Sequence, residues 1–210
     1  MILVQPNSNP SNVSFASIVA DVMTITNRPD LVNETNLAVQ AATLKAHQKD
    51  DWIKDFYEQS IGFPTSDYFQ SLDYKSVFPL WRKPKYIRKY DNTAITGGPT
   101  DFLEYLTPEK VVDNYGANRT DVFYVAGSLI QIRVQDPYQY FLVGYYANPD
   151  ITTAGYASWI ANDHKFAIVY EAAAIIFKAT GLDEQVAMMR DMVNDQYALL
   201  TQHALTGIGL

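Results

Sequence analysis

The sequence predicts a mainly α-helical fold with a β insertion. Three observations point there. Apolar residues recur at helical spacing in the first and last thirds. The middle third is dense in tyrosine, glycine and proline and alternates with a period of two. The run from Phe166 to Phe177 holds a single strongly polar side chain, Glu171, so protein must cover nearly all of that helix. N- and C-terminal helices are expected to form a bundle from residues 1–62 and 150–210, with an antiparallel β module at 63–149.

The N-terminal helix spans Ser14 to Thr26. Phe15, Ile18, Val19, Val22 and Met23 make its stripe, and Asn12 or Ser14 can cap it. Asn27-Arg28-Pro29-Asp30 breaks it, because proline cannot continue a helix. A second helix runs from about Leu31 to His47 or beyond, with Leu37, Ala41, Leu44 and Gln48 on one side. Trp52, Phe56 and Tyr57 extend an aromatic edge to Gly62-Phe63-Pro64.

In the middle, Lys85 to Tyr90 alternates, with Tyr86 and Arg88 on one face and Ile87 and Lys89 on the other. Thr96-Gly97-Gly98-Pro99 reads as a turn and Phe102 to Leu106 as a strand. Thr107-Pro108-Glu109 opens a short helix. Val122–Val125 and Leu129–Val134 form a hairpin about Gly127, with Ile130, Ile132 and Val134 inward. Gln139 to Tyr146 is a further strand. Ser158 to Ala179 is then one helix closed by Gly181, and Asp183 caps a last helix to about His203. Its stripe is Val186, Met189, Val193, Tyr197 and Leu200.

Composition excludes several classes. With 48% apolar and 19% charged residues over 210, the chain is not disordered. The absence of cysteine removes disulfides, thiolate zinc sites and cysteine nucleophiles. The start MILVQPNSNPSN has no basic n-region or long apolar core, so no secretory signal is expected. No membrane span is expected either, since Asn162 to Lys165 and Lys178 interrupt the apolar run.

Candidate chemistry is sparse, and no enzyme activity, metal or cofactor is expected. His47, His164 and His203 have no metal-ligand spacing. Asp163-His164 suits a helix terminus better than an acid–base pair. Glu171 suits an ion pair with a neighbouring element or subunit better than a general acid. Asp50, Asp51, Asp55 and Glu58 alternate with Lys49 and Lys54 as on a solvated helix face, although paired carboxylates also hydrolyse glycosides. Arg82, Lys83, Lys85, Arg88 and Lys89 put five of sixteen cations in eight residues, beside Trp81, Tyr86 and Tyr90. Cations with aromatics suit single-stranded nucleic acid. Against a net charge of −7, however, the patch of Trp81, Arg82, Lys85 and Arg88 fits an acidic protein surface better.

Several stretches in order carry a resemblance: ITNRPDLVNET into AATLKAH, LEYLTPEKV, FYVAGSLIQIRV, and YYANPDITTAGYASWIANDHKFAIVYEAAAIIFKATG. Together they resemble the head-to-tail adaptor proteins of tailed bacteriophages over nearly the whole chain. The run from Tyr145 to Phe177 is the most specific part. The resemblance implies a structural protein of the virion neck. Such a protein forms a ring of twelve copies beneath the portal, joins it to a downstream tail component, and extends the channel through which viral DNA passes. Phe166, Tyr170 and Ile176 are then expected between subunits, and Leu205, Ile208 and Leu210 in a groove of the portal protein. A virion peptidoglycan hydrolase using Glu171 or the Asp50–Glu58 cluster, and another tail-tube ring such as a tail-completion protein, are the alternatives.

Overall fold

The computed structural model describes residues 13–90, 99–111 and 119–206. In chain order the elements are α1 (Phe15–Thr26), α2 (Val32–Gln48), β1 (Phe56–Asp73), α3 (Tyr74–Val77), β2 (Trp81–Tyr90) and β3 (Pro99–Tyr105). There follow β4 (Val122–Ala126), β5 (Leu129–Ala147), α4 (Trp159–Asp163), α5 (Lys165–Ala179) and α6 (Asp183–Thr206). The chain divides into a helical unit within 1–55 and 148–210 and a sheet unit at 56–147. The expected mainly α bundle is corrected: about 46% of the described residues are helical and 34% are strand, with four strands closed into a barrel.

In the helical unit, Ser14 caps α1 by accepting from the Ser17 N–H at 3.2 Å. Asn27, left-handed at φ 51°, ends it. α2 is amphipathic in an unusual sense. Its buried face is small and partly polar, with Thr35, Ala38, Val39, Ala42, Thr43 and Ala46. The side holding Leu37, Ala41 and Leu44 points away from the core, and Leu37 is 66% exposed. Small inward residues let the helix axes approach closely. α5 answers with Ala172, Ala173 and Ala174, and it packs against α1, α2 and α6.

The covering of the apolar run is therefore supplied within its own unit. Ile168, Val169, Ala173 and Ile176 are at most 1% exposed. The single helix expected from Ser158 is broken. Ser158 caps α4 by accepting from the Ala161 N–H at 3.1 Å, and His164 at φ −140° separates α4 from α5. Gly181 at φ 75° closes α5, with the Leu182 N–H donating to the Phe177 carbonyl at 3.0 Å. Asp183 is the first residue of α6 rather than its cap, and the stripe from Val186 to Leu200 is buried.

The sheet unit departs further from expectation. No helix carries Trp52, Phe56 and Tyr57 together. α2 stops at Gln48, a 3-10 turn covers Ile53–Asp55, and Phe56 begins an 18-residue strand. The strands expected at 129–134 and 139–146 are one strand of 19 residues. One edge of β5 takes β1 along its length. The other takes β4 at residues 129–133 and β2 at 141–147. β3 joins β2 to β4, antiparallel to the first and parallel to the second, and this closes the barrel. Among the described residues, β1 on one edge and β4 and β2 on the other pair most of β5, which limits its pairing with other chains. Ile87, Phe123, Ile130, Ile132, Phe141 and Val143 fill the core. Gly127 at φ 62° makes the β4–β5 turn. The short helix expected after Thr107 is a 3-10 turn at Pro108–Lys110. The turn expected at Thr96-Gly97-Gly98 lies outside the described residues.

Burial raises four tyrosine phenols above their ordinary value of 10. Tyr86 and Tyr145 are pushed up to about 12, and Tyr156 and Tyr197 rise as well. Above pH 10 an unfolded chain ionises these groups while the folded chain still holds their protons. Stability from these groups is therefore complete below pH 10 and lost as pH rises towards 12. Thermal melts at stepped pH should show Tm falling across that window. Absorbance at 295 nm should show tyrosines titrating with unfolding; a Tm flat to pH 12 would contradict the burial.

Candidate interaction surface

Cross-strand register sorts the sheet residues into two faces. Tyr57, Tyr145 and Pro84 lie in register, as do Ile61 with Phe141 and Val143 with Ile87. Those rows point mostly into the core. The intervening rows point to the other side of the sheet, away from that core, where Tyr146 itself is only 6% exposed. Phe56, Tyr146 and Lys83 form one, Glu58, Gly144 and Tyr86 the next, and Leu142, Arg88 and Phe102 a third. An aromatic and basic face results.

Two β-bulges build its cationic part. Register shifts lie between Trp81 and Lys83 and between Pro84 and Tyr86, so Arg82 and Lys85 are the extra residues. Arg82, Lys83 and Lys85 then converge on one ring. They lie 5.3, 5.6 and 5.8 Å from the centroid of Tyr146. Arg88 lies 4.4 Å from the centroid of Phe102, which is 59% exposed. Tyr86 packs edge-on against Phe102 and donates its phenol to the Glu58 carboxylate. Gly144 makes room for this ring: a Cβ there would meet Tyr86 at 2.8 Å.

The structure divides the expected patch. Arg82, Lys85 and Arg88 share the outward face. Trp81 does not, because it stacks on Tyr145 at 5.0 Å and on Phe78 at 5.4 Å. Lys89 is buried, 3.0 Å from Asp121 and 5.4 Å from the Tyr138 ring. Of the expected subunit contacts, Phe166 is 45% exposed and stacks on half-buried Tyr170. Ile176 is 1% exposed inside its own core and presents no surface to another subunit. Leu205 lies within α6, while Ile208 and Leu210 lie outside the described residues.

Helix ends and loops gather a second constellation that local spacing does not announce. His47 Nδ1 lies 2.9 Å from Asp55 Oδ1, and its Nε2 lies 2.9 Å from Ser158 Oγ. Trp159 Nε1–H donates to Asp55 at 2.7 Å, and Tyr156 shares a 2.9 Å hydrogen bond with Thr43. The order Ser–His–Asp matches that of a catalytic triad. Yet Ser158, His47 and Asp55 are 2%, 1% and 4% exposed, and Ser158 Oγ already accepts from the Ala161 N–H. An acyl substrate has no approach to that oxygen. The chain instead ties the end of α2 to the Ile53–Asp55 turn and the start of α4.

The carboxylates weighed for hydrolysis lie on different elements. Glu171 pairs with Lys45 at 2.5 Å. Asp50 and Asp51 are exposed after α2, Asp55 is buried, and Glu58 is on β1, so no single helix face carries them. Asp163 ends α4 and pairs with Lys54 at 2.6 Å. Among the described residues, no cluster of three or more His, Cys, Asp or Glu has metal-binding geometry. No helix there is long and apolar enough to cross a membrane. No protein-family model and no curated protein matches the chain.

Removing Asp55 would strand two donors, the Trp159 indole and the His47 ring. Asp55→Ala should cost roughly 2 kcal/mol or more, read as a lower urea midpoint in circular dichroism. An unchanged midpoint would show that the network adds nothing to stability. A fluorophosphonate probe should leave Ser158 unmodified in the folded protein by intact mass.

Proposed function

We propose that this chain is a structural head-to-tail adaptor of a phage virion, whose copies form a ring between the portal and the tail. The resemblance of the Tyr145–Phe177 run supports this reading. The single structural observation that carries it is apolar side chains left uncovered on separate elements of the helical unit. Leu37 on α2, Phe166 on α5 and Met188 on α6 are 66%, 45% and 49% exposed. Different patches of one subunit suit heterologous contacts, which close into rings when the rotation permits. With a net charge of −7, such a ring would let DNA pass without gripping it, because like charges repel.

Electron microscopy of the full chain mixed with portal protein tests the reading. Rings with an axial hole, stacked on the portal, are expected. A protein that stays monomeric and leaves the portal bare would contradict it.

A further inference from the structure

The two units carry very different charge. Residues 1–55 and 148–210 hold 13 acidic and 7 basic residues, a net −6; residues 56–147 hold 10 acidic and 9 basic, a net −1. Four of those nine basic residues, Arg82, Lys83, Lys85 and Arg88, share the outward face of the sheet. Lys85 makes no ion pair among the described residues.

α6 carries the opposite pattern on its outer side. Glu184, Met188, Asp191, Met192, Asp195 and Leu199 recur at 3–4 spacing and therefore share one side of the helix. All six are exposed, with Met188, Met192 and Leu199 at 49%, 37% and 46%. None of the three carboxylates pairs with a cation among the described residues. The buried stripe from Val186 to Leu200 lies on a different side, so packing within the unit leaves this outer side uncovered.

We infer that the outer side of α6 docks on the basic aromatic sheet face of a second copy of this chain. The two surfaces match in kind as well as in charge. Arginine and lysine meet carboxylates. Methionine sulfurs meet the edges of aromatic rings such as Phe102 and Tyr86, a favourable contact for a flexible thioether. Because one face meets a different face, the contact is heterologous and repeats from copy to copy. The inference deepens the ring reading and rests on it.

Charge exchange tests the contact. The sheet variant carries Arg82→Glu, Lys85→Glu and Arg88→Glu; the helix variant carries Glu184→Lys, Asp191→Lys and Asp195→Lys. Circular dichroism checks both folds, and the milder pair Lys85→Glu with Arg88→Glu replaces the sheet variant should that unfold. Light scattering, with and without portal, should show that each variant loses association by about tenfold or more relative to wild type. An equimolar mixture of the two should regain it, since each acidic face then meets a basic one. Wild-type association in either folded variant, or no recovery in the mixture, would overturn the inference. So would salt-sensitive capture of a single-stranded oligonucleotide by wild type that the sheet variant loses, because nucleic acid would then own the face. Rings on the portal that survive both variants would remove this contact and leave the ring reading standing. A wild type that never associates would remove both.

Discussion

The alternation of Tyr145 and Tyr146 on β5 sets the two sides of the sheet unit. Tyr145 turns inward, where Phe78 packs tilted against it at 4.7 Å and Trp81 stacks on it at 5.0 Å. Tyr146 turns to the opposite side, where three cations lie over its ring and leave it 6% exposed. A register slip of one residue would exchange them and would push the lysines of β2 towards the core. Barrel closure prevents that slip, because β5 is held on one edge by β1 and on the other by β2 and β4. The basic aromatic face thus follows from the same pairing that makes the core.

The helical unit obeys a different constraint. Its central helix α5 is almost wholly apolar, and small residues on α2 and α5 allow neighbouring helices to cover it. One carboxylate, Glu171, survives there because Lys45 reaches it from α2. The buried chain from Ser158 through His47 to Asp55 then fixes where α2 ends and α4 begins. Polar groups so placed are stabilising only while each keeps its partner. Catalytic order without access to solvent makes this network a joint of the fold.

Much of the helical unit was legible because its inward stripes are large and apolar: Phe15, Ile18 and Val22 on α1, Val186 to Leu200 on α6. The inner face of α2 was not, since alanine and threonine give a weaker hydrophobic signal than Leu37 and Leu44 on its outer side. β1 is not legible in the sequence because most of its side chains are exposed, which erases the alternation that marks a strand. The break at His164 has no proline or glycine to announce it. For the site, the density of cations beside aromatics was visible in the sequence. Its geometry was not, because two bulges move Arg82 and Lys85 out of simple alternation and turn Trp81 to the core side. His47, Asp55 and Ser158 stand 8 and 111 residues apart. Only tertiary folding brings them together.

The claim most exposed to test is that copies meet through β2 and α6. Isotopically labelled and unlabelled chains would be mixed, joined by a carbodiimide that links lysine to carboxylate without a spacer, and digested for mass spectrometry. Mixed-isotope peptides linking Lys83 or Lys85 to Glu184, Asp191 or Asp195 are expected. Cross-linked oligomers in which the mixed-isotope links avoid these residues would contradict it.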